Sequence, residues 1–220
     1  MNKANQPQPP RLPKRLPLPA SEEAVLSDFA EFTTVLLERP EFYAQRAVQV
    51  TFNGVHCKQG RWADSKVQGL RCIDTRFDAC DLANATWEQF YAQRVAFTGC
   101  QLVGLTTLEA YLHNVRFAEC NGQFAAFRFA ICKGVRFDHC DLRHADFQGA
   151  DLTGVVFHKC DLSHAQFSGT TLKGTDLRGA KIDDLHVGIP ELPGAIVDPL
   201  QAAYLAGLLG VVIKDEHDET

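Results

Sequence analysis

The sequence predicts an all-β solenoid of square cross-section, about seven coils long, with short helices at its two ends. Three observations carry this expectation. A large apolar residue returns at every fifth position, a small residue stands two places before it, and a twenty-residue period lies above the five-residue one.

The five-residue period is plainest in FDHCDLRHADFQGADLTGVVFHKCDLSHAQF, where Phe or Leu occupies 137, 142, 147, 152, 157, 162 and 167. A helix repeats its faces every 3.6 residues and a strand every two, so neither holds such a period on one face. The chain must turn at regular intervals. Without insertion the register runs from Phe52 to Val187, giving 28 units. Of their centres, 22 are Phe, Leu, Ile, Val or Trp and three are Cys; Ala92, Thr107 and Gly122 depart. Two residues before each centre, 24 of the 28 positions are Ala, Val, Cys, Thr, Ser or Gly, and Leu70, Phe90, Leu105 and Leu185 depart.

Charge tests the register independently. Between Val50 and Val187 there are 15 Lys/Arg and 15 Asp/Glu, and none falls on either position, so both point inward. Ten of the thirteen glycines from Gly54 to Gly188 stand two residues after a centre, as at a turn that needs positive φ. Cys80, Cys100, Cys120, Cys140 and Cys160 are twenty apart, as are Phe77, Phe97, Phe117, Phe137 and Phe157. Four sides therefore make a coil, and seven coils at about 4.8 Å each give a tube roughly 34 Å long.

The units CDLRH, ADFQG, ADLTG, CDLSH and TDLRG resemble the pentapeptide-repeat family, whose pattern is a small residue, Asp or Asn, Leu or Phe, and two variable residues. The resemblance covers about Val50 to Val187 and implies a right-handed quadrilateral β-helix. From Trp87 to Cys132 it weakens, since ATWEQ, FYAQR and LTTLE lack the Asp or Asn.

Four segments follow. Residues 1–20 hold six prolines and no apolar core segment, so a disordered arm rather than a signal peptide is expected. Residues 21–47 predict a helical cap, with Ser21 as N-cap, Glu22 and Glu23 in the first turn, apolar Val25, Leu26, Phe29, Phe32, Val35 and Leu36, and Pro40 past its end. Residues 48–188 form the β-helix. Residues 189–220 predict a second helix opened by Asp198-Pro199, an edge strand GVVIKD and an acidic tail. No run is long and apolar enough to suggest a membrane span, and the expected location is cytoplasmic.

All eight cysteines lie on inward positions without a CxxC pair, while the eight histidines lie elsewhere, so buried reduced thiols are expected rather than a metal site or disulfides. His144 and His164 stand one coil apart beside Asp141 and Asp161, a ladder that a repetitive surface makes by default. There is no Gly-rich phosphate loop and no nucleophile–base constellation, so neither enzyme activity nor a cofactor is expected.

Two surfaces stand out. Tyr91, Tyr111 and Ile131 share one outward position in successive coils, with Phe129 around the corner, and aligned exposed apolar residues suggest a protein partner, unless the N-terminal helix or a second copy covers them. Leu200, Tyr204, Leu205 and Leu208 lie to one side of the C-terminal helix and suggest a homodimer joined tail to tail. DPLQAAYLAGLLGVVI is similar to the C-terminal segment of quinolone-resistance pentapeptide proteins, which implies end-to-end dimerisation and, as an alternative function, DNA-mimic protection of DNA gyrase. The charge distribution weakens that alternative: the coils balance, residues 1–47 carry six of each sign, and the net −5 comes from the last 33 residues. Direct nucleic-acid binding is not expected. A protein-interaction scaffold is the leading expectation, and a secreted effector, with the arm as export signal, is a further alternative.

Overall fold

In a computed structural model, which describes residues 6–18, 24–208 and 210–214, the backbone from Glu31 to Ile196 winds so that strand and bridge residues pair in parallel with those twenty positions on. Phe77, Phe97, Phe117, Phe137 and Phe157 are such partners. Their rings stack at 4.8, 4.8, 4.7 and 5.1 Å within 6° of parallel, which is the coil spacing itself. The first side of each coil is centred on Phe52 and its equivalents, the second on Cys57, the third on Trp62 and the fourth on Val67.

The inward register holds throughout. Every small position from Val50 to Leu185 and every centre from Phe52 to Ile182 is buried, and Val187 at the end is half-buried. The departures are compensated in volume. At three small centres the position two before is large: Leu70 precedes Cys72, Phe90 precedes Ala92 and Leu105 precedes Thr107, all six buried. Gly122 stands at a centre because Leu142 of the next coil fills the space, its Cδ2 lying 2.9 Å from where a Cβ would be.

The corners explain the turn residues. All ten glycines two residues after a centre have positive φ, from 61° to 73°. The Asp of the repeat has a local role: the Oδ1 atoms of Asp141, Asp146, Asp151, Asp161 and Asp176 accept the backbone N–H two residues on at 2.9–3.2 Å, closing an Asx turn. Where that Asp is missing, Tyr91–Thr98 and Tyr111–Ala118 instead run as strands around a corner, bending at Arg94 and Asn114 with φ of 52° and 54°.

The N-terminal helix expected over 21–47 is not formed among the described residues; Ser21, Glu22 and Glu23 lie outside them. Glu31–Thr33 and Leu36–Glu38 are strands that pair with Thr51–Asn53 and His56–Lys58. The reason is that Phe32, Leu37, Phe42 and Ala47 continue the five-residue register by one further coil, and Pro40 occupies a buried small position rather than a helix end. Apolar spacing that also fits a helical face is overridden by stacking on the coil beneath, where Phe32 lies 4.7 Å from Phe52.

The arm expected to be disordered is docked over its described part. Gln8 N donates to Asn114 Oδ1 at 3.1 Å, Arg11 N to Asp74 Oδ1 at 2.9 Å, and Leu36 N to the Pro17 carbonyl at 2.8 Å. The arm thus climbs the corner between the first and second sides toward the N-terminal coil. Three residues of proline-fixed extended chain rise about 9.3 Å. Two coils, the separation of Asn114 from Asp74, span about 9.6 Å, so the periods match.

At the other end the register resumes with Leu192 and Val197, and the helix Pro199–Leu208 closes the tube. Asp198 and Gln201 cap its start reciprocally, each backbone N–H donating to the other's side-chain oxygen at 3.0 Å. Gln201 Nε2 also donates to the carbonyls of Leu177 and Ala180 at 2.6 and 2.7 Å, satisfying the last coil. The expected edge strand is absent: Val211–Lys214 makes no strand pairing, and Val211, Val212 and Ile213 are exposed. Leu209 and most of the acidic tail lie outside the described residues.

Candidate interaction surfaces

Tyr91 and Tyr111 come together on the first side, paired in register on adjacent strands and stacked at 5.5 Å with 7° between ring planes. A cation covers each end of this pair. The Arg71 guanidinium lies 4.3 Å from the Tyr91 centroid, and Lys133 Nζ lies 5.8 Å from that of Tyr111. Both rings are half-buried. Ile131, next in the ladder after Tyr111, is 43% exposed, and Phe129 at the adjoining corner is 52% exposed. The described part of the arm docks away from these residues, at the corner residues Asn114 and Asp74 and over a cavity lined by second-side residues.

Sequence reasoning passed over Phe124. It is 58% exposed at the corner between the third and fourth sides and stacks on His144 at 4.8 Å, which stacks on His164 at 4.8 Å. Its signal was available, since an aromatic stands where the corner favours glycine or a polar residue. Phe124, Phe129 and Ile131 fall in one coil, so an apolar band flanks the tyrosine pair.

Phe129 holds its backbone at φ 56° and lays its ring over Gly149, where a Cβ would meet ring carbons at 2.5 Å. A left-handed backbone costs a non-glycine residue roughly 1–2 kcal/mol. The ring's position is therefore maintained against a local preference.

The four residues assigned to tail-to-tail contact separate. Leu205 is buried against the chain's own last coil, and Tyr204 packs partly on the same core. Leu200 and Leu208 are exposed, at 85% and 45%. The separation follows from Gln201: its bonds to the tube carbonyls orient the helix with Gln201 and Leu205 inward, leaving Leu200 at the margin.

The eight cysteines are buried and free. Burial, with the Asp151 charge adding to it, pushes the Cys132 thiol up to about 12, and burial raises that of Cys72 further. Among the described residues no group of three His, Cys, Asp or Glu side chains is placed to hold a metal ion, and no helix is long and apolar enough to cross a membrane.

Arg143 and Arg178 grip Asp141 and Asp176 through two nitrogens each at 2.6–2.9 Å, and these contacts, ahead of opposing burial, lower both carboxyls below their ordinary range. Much of the wall's charge is thus consumed locally.

Two family models match the chain: a pentapeptide repeat region over residues 70–147, and pentapeptide repeats in eight copies over residues 140–179. No curated protein matches. Among solved structures, a trypsin-treated variant of QnrB1, a plasmid-mediated fluoroquinolone resistance protein, is 20% identical over 86% of this chain and 100% of that one, with a TM-score of 0.39. HetL, a pentapeptide repeat protein involved in heterocyst differentiation regulation in the cyanobacterium Nostoc, is 15% identical over 77% of this chain and 87% of that one, with a TM-score of 0.44. Full-length QnrB1 is 18% identical over 83% and 100% of the two chains, with a TM-score of 0.33. With its unbroken inward register, its Asx-turned walls and the two family models together spanning residues 70–179, this chain belongs to the pentapeptide-repeat family.

Proposed function

We propose that the protein is a non-enzymatic scaffold that presents the first side of a rigid β-helix to a protein partner. The observation that carries this reading is the cation-covered Tyr91–Tyr111 pair with exposed Ile131 and Phe129 beside it. Aromatic and arginine side chains on a rigid support concentrate binding energy at protein interfaces. Backbone pairing across successive coils fixes the spacing of these groups before a partner arrives, which lowers the ordering cost of association.

The test compares affinity capture by wild type with capture by a chain carrying Tyr91→Ser and Tyr111→Ser, alongside DNA gyrase supercoiling with and without a quinolone. Loss of a specific partner in the variant, with gyrase unaffected by wild type, supports the scaffold. Inhibition or drug protection of gyrase by wild type supports the topoisomerase alternative instead. A variant that keeps every partner removes the first side from consideration.

Self-association through the C-terminal end belongs to the same reading. Leu200, Leu208 and Val211–Ile213 expose apolar surface at the helical end of the tube, while Leu205 and Tyr204 seat the helix. Light scattering should report a dimer for wild type and a monomer for a chain with Leu200→Ser and Leu208→Ser. An unchanged dimer in that variant locates the contact elsewhere.

A further inference from the structure

Between the docked arm and the second side lies a cavity of ≈ 680 Å³. Its wall is organised by one ladder of outward positions, Arg76, Ala96, Arg116 and Arg136, on successive coils. Ala96 makes a recess between two arginines, and Thr98 lines its edge. Residues Gln6–Pro10 and Leu12 form the roof.

The charges here do not balance. Asp78 accepts Arg76 Nε at 2.8 Å, and the buried Asp138 accepts Nε of both Arg116 and Arg136 at 2.7 and 2.6 Å. Arg94 pairs with Asp74 at 2.7 Å on the adjoining corner. Four wall arginines thus meet three carboxylates, and the arm, outside the cavity lining, carries Arg11, Lys14 and Arg15 with no carboxylate. A basic segment laid along a basic wall is electrostatically unfavourable unless an anion lies between them. The three ladder arginines engage their aspartates through Nε, and none of their Nη atoms has a hydrogen-bonding partner among the described residues. Those are the nitrogens that grip a phosphate.

We propose that this cavity binds a small phosphate-class oxyanion, held by the Nη groups of Arg76 and Arg116 on either side of Ala96, with the arm as its strap. The two arginines stand two coils apart, about 9.6 Å along the tube, a separation that a diphosphate bridges better than a single phosphate. The volume also leaves space for an organic group attached to the diphosphate. This site is on a different side from the tyrosine pair and does not depend on the scaffold reading.

The test uses the full chain and inorganic pyrophosphate in low-salt buffer, with sodium chloride at matched ionic strength as reference. Calorimetry should show saturable binding, weakened about tenfold or more by Arg76→Gln with Arg116→Gln, and left unchanged by Arg143→Gln on the third side. Both substituted arginines are about half exposed, so their loss should leave the melting temperature in place, and Arg116→Gln alone should give an intermediate affinity. Bound pyrophosphate should also slow tryptic cleavage after Arg11 and Arg15 in wild type but not in the double variant. Adenosine diphosphate binding more tightly than pyrophosphate identifies an ester as the preferred source of the phosphate; the reverse ranking identifies the free ion. Absence of saturable binding, equal weakening by Arg143→Gln, or binding without protection of the arm overturns the proposal.

Discussion

Phe129 combines an exposed ring with a backbone conformation that glycine adopts more readily. Its left-handed backbone suits glycine, the residue found one coil later at Gly149, while its exposed ring adds nothing to the buried core. Phe129→Gly should therefore leave the melting temperature unchanged or raise it by the equivalent of about 1 kcal/mol, while weakening capture of a partner bound on the first side. A clear fall in melting temperature would instead make the ring's contact over Gly149 structural. Tyr91 and Tyr111 differ from Phe129 in kind, because stacking and flanking cations already bury half of each ring. On the proposed scaffold reading their part is a fixed platform, with Ile131 and Phe129 the groups that would lose most water.

At the scale of elements, the arm is held by few bonds, and one of them titrates. The Arg94 guanidinium, followed by the Arg11 backbone N–H and opposed by burial, holds the Asp74 carboxyl below its ordinary value of 3.8. A carboxyl depressed in the folded state contributes stability that is fully present above its unfolded value and is lost as pH falls through the folded one. The Arg11 amide should accordingly keep its docked chemical shift at neutral pH and move toward that of a free chain only below the usual carboxylate range. Asp74→Asn should abolish this titration. An Arg11 signal that ignores pH in wild type would show that the bond to Asp74 does not hold the arm. The C-terminal helix is seated through the neutral amide of Gln201 and the buried Leu205, while the backbone N–H groups of Gln201 and Gly179 lower the carboxyl of its capping Asp198, so the cap too weakens once pH falls below the usual carboxylate range.

For the whole molecule, the inward register is the governing constraint, and it is testable with one amino acid at two neighbouring positions. Ala145→Arg or Ala150→Arg places a long charged side chain inside a filled tube and should cost roughly 4 kcal/mol or more. Gln148→Arg, on an exposed position between them, should change stability by less than about 0.5 kcal/mol. Equal losses in thermal melts would contradict the register. The same constraint shapes function: with every coil's interior full, binding is confined to the four outer walls, the corners and the two ends.

The sequence by itself determined which residues point inward from Val50 to Val187, where the chain turns and that the coils stack in parallel. These properties are written in a five-residue code that excludes charge from two positions and supplies glycine or an Asx turn at many of the corners. It also brought Tyr91, Tyr111 and Ile131 onto one ladder, because positions twenty apart must align. Only the tertiary structure decided the fate of the ends. Phe32, Leu37, Phe42 and Ala47 fit the coil register, while the apolar residues around them also fit a helical face, and contact with the coil beginning at Phe52 resolves the competition. Leu205 turns inward and Leu200 outward because the bonds of Gln201 to Leu177 and Ala180 orient the helix. The described part of the proline-rich arm has no internal backbone hydrogen bonds that would mark it as ordered. Its partners, Asn114 and Asp74, lie more than sixty residues away in sequence, and their two-coil spacing matches the arm's rise only once the solenoid is built.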